Sequence, residues 1–275
     1  MEIHVGNMHL YRDHFQNYRN KSIPKAQLII ADIPYNIGIN AFASNPSWYK
    51  DGDNKNGESE LAGKAFFDTD KDFRIAEFMH FVSTMLKKEP KEKGQAGCMI
   101  VFCEFEQQFM LIQKGKEYGF NNYINLVFRK NYSAQVLKAN MKIVGNCEYA
   151  LLLYRDKLPK FNNNGKMVFN CMDYQRDTTT PKIHPTQKSI YLLQRLIELF
   201  TDPGDVVIDP VAGSGVTLLA AEQLGRKAYG FEIKREYVEG FKKEIAGNIQ
   251  ETIFQQIRPV KHGKQKNIFN MGVSE

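Results

Sequence analysis

A short apolar run that ends in an acid, VVID at 206–209, leads directly into a glycine turn, PVAGSG at 210–215. A helix is predicted over 216–224, and the strand predicted over 227–231 ends at an acid, Glu232. A strand, a tight glycine turn, a helix and a second strand in this order form a right-handed βαβ unit. This unit requires a parallel sheet, which restricts the chain to the α/β class.

The rest of the chain continues the alternation of strands and helices. The spacing of apolar residues predicts an amphipathic turn or helix over 10–18 and helices over 73–88 and 188–200. Further strands are predicted over 3–6, 27–31, 97–102, 123–128 and 149–154. The expected fold is therefore a doubly wound, mostly parallel sheet with helices on both faces.

The glycine turn indicates the ligand. Gly213 and Gly215 let a ligand approach the backbone, and a carboxylate at Glu232 suits the two ribose hydroxyls of an adenosine. The turn reads GxG and not GxGxxG, and the acid of Asp209 lies where a dinucleotide needs its pyrophosphate. A cationic adenosyl cofactor, S-adenosylmethionine, is favoured over nicotinamide or ATP. The alternative is an ordinary tight connection between a strand and a helix.

A second motif, Asp32-Ile33-Pro34-Tyr35, closes the strand predicted over 27–31. In a parallel sheet it would line the same edge as the glycine turn. An aromatic exocyclic amine is a poor nucleophile, and acceptors at the Asp32 carboxylate and the Ile33 carbonyl would orient its lone pair. Pro34 would stiffen the turn and Tyr35 would stack on an extruded base. The alternative is an ordinary turn at the end of a strand.

Three motifs together resemble the amino-methyltransferases of DNA, in the permuted β class. They are DIPY at 32–35, HPTQKS at 184–189 and DPVAGSG at 209–215, and the resemblance covers most of the chain. It implies a circularly permuted, seven-stranded Rossmann-like fold. It also implies methyl transfer from S-adenosylmethionine to an exocyclic amine in DNA, with S-adenosylhomocysteine as product and no metal. Ile33 and Val211 depart from the usual proline and phenylalanine of the family.

The resemblance also implies the residues of the site. The family's contact to the cofactor adenine corresponds to Asn7, after Gly6, and its contacts to the methionine end correspond to Thr186 and Lys188. The local alternative for Thr186 is a helix N-cap. The whole predicted cofactor set is Asn7, Asp32, Thr186, Lys188, Asp209, Pro210, Ala212, Gly213, Gly215 and Glu232.

Basic residues suggest where DNA lies. The sequence from 129 to 142 contains no acid and contributes the predicted contacts, which are Arg129, Lys130, Tyr132, Lys138 and Lys142. A solvated surface loop is the alternative. A second basic stretch lies where relatives insert a target-recognition region and includes Arg155, Lys157, Lys160, Lys166, Arg176 and Lys182. The formal net charge of +6 is compatible with a polyanionic partner.

The predicted organisation is one methyltransferase domain over 1–257 and a basic, flexible tail over 258–275. The domain would contain a loop insert at about 36–67 and a short target-recognition region at about 155–183. A short region implies a brief target sequence, help from the loop at 36–67, or contacts supplied by a second subunit, so a homodimer is a further expectation. The four cysteines have no metal-ligand spacing and are predicted to be reduced core thiols. With no apolar leader or membrane span in the sequence, a cytoplasmic location in a bacterial or phage-encoded setting is expected.

Adenine is the favoured target, because relatives that methylate cytosine often begin the tetrapeptide with serine where this chain has Asp32. Cytosine remains the main alternative. An RNA or a protein amide would need the same two acceptors, but the order of the motifs argues against it. A DNA-binding relative that has lost turnover is the alternative outside the enzymes.

Overall fold

The computed structural model describes residues 1–34, 73–130, 143–184 and 186–249, together with the backbone of 135–138. The strands are β1 (Glu2–Val5), β2 (Met8–Arg12), β3 (Leu28–Asp32), β4 (Cys98–Phe102), β5 (Asn122–Lys130), β6 (Gln135–Lys138), β7 (Ile143–Gly145), β8 (Cys147–Tyr154), β9 (Cys171–Tyr174), β10 (Val206–Asp209) and β11 (Lys227–Glu232). The helices are α1 (Ile75–Met85), α2 (Gln107–Glu117), α3 (Ile190–Phe200), α4 (Val216–Gln223) and α5 (Arg235–Gly240), which continues as a π-helical turn over Phe241–Ala246. The predicted loop insert at 36–67 and the tail at 258–275 lie outside the described residues.

The strands of this part of the chain form one nine-stranded sheet in the order β1-β2-β11-β10-β3-β4-β8-β5-β9, and β6 and β7 form a separate hairpin. The seven strands from β2 to β5 in this order make up its centre. Only β8 among these seven runs antiparallel to its neighbours. The predicted doubly wound, mostly parallel sheet is confirmed, with β1 and β9 added as edge strands.

Helices cover both faces of the sheet, as predicted. On one face α3, α4 and α5 pack over a core that includes Leu196, Leu218 and Val238. On the other face α1, α2 and a 3-10 helix over Phe15–Asn20 pack over a second core. No helix in the described ranges is long and apolar enough to cross a membrane.

The strands β3 and β10 lie side by side and parallel although they are far apart in the chain. From β10 the chain passes through α4 to β11 on one side, and from β3 it continues to β4 on the other side. A crevice forms outside the carboxyl ends of strands at such a reversal of strand order, and ligands bind there in open α/β sheets. The two predicted motifs therefore meet at one edge of the sheet, here called the carboxyl edge.

The amphipathic turn or helix predicted over 10–18 is wrong in its first half. Met8–Arg12 is strand β2, which pairs with β11 in the interior of the sheet. The buried positions Met8, Leu10 and Tyr11 are compatible with either period over so short a stretch. Only the pairing with β11 makes this segment a strand.

All four cysteines are free. Cys98 and Cys103 are buried, as predicted, and burial raises the pKa of the Cys103 thiol to about 12. Cys147 and Cys171 are exposed, so the prediction of core thiols is wrong for these two.

Candidate active site

The glycine turn after β10 is built on two left-handed residues, Gly213 at φ +51° and Gly215 at φ +75°. A Cβ at Gly215 would lie 2.3 Å from the ring of Phe241, so the turn needs glycine there to pack under the helical segment. A Cβ at Gly213 would meet nothing closer than 3.9 Å, at His184. The open side of the turn is therefore at Gly213.

Glu232 is fixed beside this turn, at the end of β11. The N–H of Gly213 donates to its Oε2 at 2.8 Å, and the N–H of Lys234 donates to its Oε1 at 2.7 Å. A carboxylate oxygen can accept more than one hydrogen bond, so both oxygens of Glu232 can still accept hydrogen bonds from the two hydroxyls of a ribose. The strand β11 also holds the turn directly, because the N–H of Ala212 donates to the Phe231 carbonyl at 2.8 Å.

Asp209 is buried at the end of β10, next to the equally buried Pro210. Its Oδ1 accepts a hydrogen bond from the N–H of Val211 at 3.0 Å. Burial raises the pKa of Asp209 to about 7, and the negative charges of Asp32 and Glu232 contribute to the rise. Three carboxyl groups thus converge on one edge of the sheet, which suits a cationic ligand.

Asp32, at the end of β3, is paired with a buried lysine. The Nζ of Lys188 lies 2.9 Å from Oδ2 of Asp32 and 3.3 Å from Oε2 of Glu148, and 5.0 Å from the centroid of the Phe102 ring. Burial alone would raise the pKa of Glu148, but Lys188 and Lys130 overcome this and lower the pKa. Lys188 thus joins the tetrapeptide to a charge network.

The peptide groups around Ile33 are held from two sides. The N–H of the buried Ile33 donates to the Phe102 carbonyl at 3.2 Å, and the carbonyl of Pro34 accepts from Nε2 of Gln107 at 2.8 Å. The Oε1 of Gln107 accepts from the N–H of Glu104 at 2.9 Å, which fixes the amide. Sequence reasoning missed Gln107, since no local pattern marks a contact across so many residues. Tyr35 lies outside the described residues.

His184 is a further residue of the site that sequence reasoning passed over, although it belongs to the HPTQKS motif. Its ring packs against that of Tyr237 at a centroid distance of 4.6 Å and borders the open side of the glycine turn. Burial lowers its pKa to about 4, and the charges of Lys188 and Lys234 lower it too. His184 is therefore a neutral wall of the crevice at physiological pH.

Thr186 is exposed, and its hydroxyl lies 3.1 Å from Nδ1 of His184. It is not a helix cap, because α3 begins only at Ile190. The N–H of Ile190 instead donates to Oδ2 of Asp177 at 3.3 Å. The N-cap alternative for Thr186 is therefore wrong, and a contact to the cofactor stays a prediction.

Asn7 lies at the wrong edge of the sheet for a cofactor contact. It precedes β2, and its carbonyl accepts from the N–H of Ala228 near the start of β11. Its own N–H donates to Glu222 at 2.9 Å. The residue that follows β2 at the carboxyl edge is Asp13, whose N–H donates to the Glu232 carbonyl at 3.1 Å. The prediction took Asn7 because it follows the first strand of the chain, β1. The strand that pairs with β11 is β2, and Asn7 lies at the amino end of β2.

The structure gives different outcomes for the predicted DNA contacts. Lys130 is paired with Glu148, lies 5.2 Å from the centroid of the Tyr174 ring and has only 11% of its side chain exposed, so it is not a phosphate contact. Arg129 is 62% exposed and pairs with Asp173 at 2.7 Å. The backbone of Lys138 ends β6. Tyr132 and Lys142 lie outside the described residues.

The start of the second basic stretch is structural. Arg155 donates to the carbonyls of Lys87 and Ser83 at 3.1 and 2.8 Å, and the Lys157 ammonium donates to the Pro90 carbonyl at 2.6 Å. Lys160 is buried, and its Nζ lies 2.5 Å from Asp202 and 3.0 Å from Asp205, just before β10. These three cations therefore fasten the chain at the amino ends of the parallel strands. A recognition role is wrong for Arg155, Lys157 and Lys160.

Comparison with known proteins identifies relatives of this chain. A family model described as DNA methylase matches residues 26–243. The DNA adenine methyltransferase YhdJ of Escherichia coli is 35% identical over 137 residues, which are 49% of this chain and 42% of that protein. The type II methyltransferase M2.DpnII of Streptococcus pneumoniae is 37% identical over 98 residues, 34% of this chain and 35% of that protein. The chain spans less than two thirds of the length of these curated relatives.

Solved structures share the fold. The crystal structure of the M1.HpyAVI–SAM complex covers 86% of this chain and 98% of its own, with a TM-score of 0.61 and 21% identity. PvuII DNA methyltransferase, described as cytosine-N4-specific, covers 91% of this chain and 93% of its own, with a TM-score of 0.64 and 16% identity. At these identities the likeness supports the architecture of the sheet and its helices.

Proposed function

The chain belongs to the DNA methylase family, whose model spans residues 26–243, and on this premise we propose that it methylates the exocyclic amine of adenine in DNA. The observation that carries the proposal is the position of Asp32. It ends β3 directly beside β10 and its glycine turn, and it is paired with Lys188 from the HPTQKS motif. The acceptor for an amine and the cradle for an adenosyl group thus share one crevice.

The residues at the carboxyl edge fit S-adenosylmethionine. Gly213 leaves the turn open, Glu232 is pinned by two backbone N–H groups, and Asp209 offers a buried carboxyl to a cation. Glu232 would accept the ribose hydroxyls and Asp209 would face the methionine ammonium. When bound, the cofactor supplies an electrophilic methyl group on a sulfonium and leaves as S-adenosylhomocysteine.

The chain's own contribution to the reaction is to orient the amine. Asp32 and the Ile33 carbonyl would each accept one of the two amine hydrogens, so that the nitrogen lone pair faces the methyl donor. The peptide groups on either side of the Ile33 carbonyl are hydrogen-bonded, through the Ile33 N–H at 3.2 Å and the Pro34 carbonyl at 2.8 Å, so the carbonyl between them costs little to organise during the reaction. Lys188 keeps a positive charge against Asp32, which favours the ionised acceptor.

We place the DNA along the side of the carboxyl edge where β5 ends. The hairpin of β6 and β7 follows β5 there, and Lys138 lies on it. Arg129, whose side chain is exposed, lies at the same end of β5. The start of the predicted target-recognition region is attached at the opposite edge of the sheet, and the chain then returns to this side as β9, which pairs with β5.

The methyltransferase domain over 1–257, the homodimer and the cytoplasmic location stay predictions. Sedimentation of the purified protein tests the dimer.

Incubation with labelled S-adenosylmethionine and mixed-sequence double-stranded DNA tests the proposal, with digestion to nucleosides as the readout. Label in methyladenine is the expected result. Label in N4-methylcytosine would replace adenine by cytosine as the target. If the protein bound the cofactor but transferred no label to DNA, the proposal would be overturned. RNA and protein acceptors would then be tried as substrates.

Cofactor affinity is expected to rise with pH through neutrality, because the ionised form of Asp209 attracts a cation and the neutral form does not. With a pKa of about 7, the ionised fraction rises about tenfold between pH 6 and pH 8, and affinity should follow it. Isothermal titration calorimetry at several pH values measures this. Asp209→Asn has no proton to lose at this position, so its affinity should be lower and flat over the same range. An equal rise in the variant would assign the pH dependence to another group.

A further inference from the structure

A cluster of metal-binding side chains lies away from the carboxyl edge, on the hairpin formed by β1 and β2. Glu2 and His4 alternate along β1 and therefore share one face of the sheet, and His9 of β2 is the cross-strand partner of His4. Oε1 of Glu2 lies 2.5 Å from Nε2 of His4, and that nitrogen lies 3.3 Å from Nδ1 of His9. The three ligand atoms all lie within 4.8 Å of one another.

From this arrangement we infer that Glu2, His4 and His9 bind a divalent transition metal ion of the Zn²⁺ type. Zinc forms bonds of about 2.0–2.1 Å to imidazole nitrogen, so two nitrogens of a tetrahedral site lie roughly 3.3 Å apart. The two histidines already have this separation. Two imidazoles and one carboxylate are a common zinc donor set, and water completes it.

The backbone and a neighbouring ring position the ligands before a metal arrives. His4 and His9 are held opposite each other by the antiparallel pairing of β1 with β2. The ring of His9 also stacks on Tyr229 of β11, at a centroid distance of 4.6 Å and an interplanar angle of 13°. Only the exposed Glu2 must move outward, because its oxygen lies 2.5 Å from Nε2 of His4 and two ligand atoms of a tetrahedral zinc site lie roughly 3.3 Å apart. The metal would replace the proton between Glu2 and His4.

A metal at this position would act as a clip. The strand β1 is at the edge of the sheet and pairs only with β2 among the described strands. Two ligands from β1 and one from β2 join the strands across the ladder, and an ion that binds only the folded hairpin stabilises it by mass action. The proposed site lies on the hairpin and makes no use of the proposed methyl transfer.

Direct titration of metal-depleted protein without a polyhistidine tag tests the proposal. Zn²⁺ is followed by calorimetry, and Co²⁺ by its visible absorption, which is intense when the ion is four- or five-coordinate. One equivalent should bind and raise the melting temperature. His4→Gln and His9→Gln should each weaken binding by at least about 10- to 100-fold, while circular dichroism shows that they fold.

His80→Gln is the matched control, because His80 is an exposed histidine on α1 and does not belong to the cluster on the hairpin. It should bind Zn²⁺ with unchanged affinity. Absence of a Co²⁺ spectrum, or equal binding by His4→Gln and the unaltered protein, would overturn the proposal. Neither result bears on methylation, which is measured separately with DNA.

Discussion

Asp32→Ala should lose methyl transfer almost completely and still bind the cofactor. The substitution removes the side-chain acceptor for the amine while Gly213, Glu232 and their hydrogen bonds stay in place. The loss of one preorganised hydrogen-bonding group typically lowers kcat by on the order of 10²- to 10³-fold. Single-turnover transfer of label to DNA, together with calorimetric titration of S-adenosylmethionine, measures both functions on one preparation.

Glu232→Ala is the reciprocal variant. It removes the carboxylate beside the glycine turn, so the cofactor affinity should fall while transfer at saturating cofactor is largely kept. Asp32→Asn keeps the shape of the side chain and one acceptor oxygen, and should retain more activity than Asp32→Ala. If Asp32→Ala and Glu232→Ala lost cofactor binding equally, the separate roles assigned to these residues would be wrong.

Lys188→Met should reduce both the rate of transfer and the stability of the fold. The ammonium of Lys188 lies between the carboxylates of Asp32 and Glu148, and its side chain is only 7% exposed. Removal of one partner from a buried ion pair costs about 3–5 kcal/mol, and the lower end applies here because Asp32 is one-third exposed. Displacement of Asp32 should lower the rate by roughly 10²-fold. Urea unfolding and single-turnover transfer measure the two effects.

The stability lost in Lys188→Met should depend on pH in a defined direction. Glu148 has a pKa below its ordinary value of 4.5 in the folded chain, although burial opposes this, because Lys188 and Lys130 lower it. A depressed carboxyl pKa contributes stability that is present above the ordinary value and is lost as the pH falls through the folded value. The difference between the two proteins should therefore be largest at neutral pH and shrink below about pH 4.5.

Two further variants separate charge from packing at this position. Lys188→Arg keeps the cation and should retain most of the stability. In a Glu148→Gln background, the part of the Lys188→Met effect that depends on pH through Glu148 should disappear. A stability difference that stayed constant as the pH fell from neutrality through the lowered pKa of Glu148 would mean that lost packing, and not lost charge, destabilises Lys188→Met.

The strands and helices that build the crevice could be predicted because their signals are local. A parallel strand buried on both faces is a run of apolar residues, such as VVID at 206–209, and a turn with positive φ needs glycine, as at Gly213 and Gly215. The helices over 73–88, 188–200 and 216–224 were predicted to within three residues of α1, α3 and α4. Helix α2 was missed, since its apolar periodicity is weak and two of its apolar residues, Phe109 and Met110, are exposed.

The sequence alone determined the βαβ unit, the order of its motifs and the carboxylates at Asp32, Asp209 and Glu232, since strand ends and tight turns depend on neighbouring residues. Only the tertiary structure decided the partner of each charge. It placed Asn7 at the opposite edge, buried Lys130 against Glu148, and used Lys160 to fasten the chain to Asp202 and Asp205. A lysine or arginine looks the same in the sequence whether its side chain contacts phosphate, solvent or a buried carboxylate. The pairing of distant strands decides which of these contacts it makes.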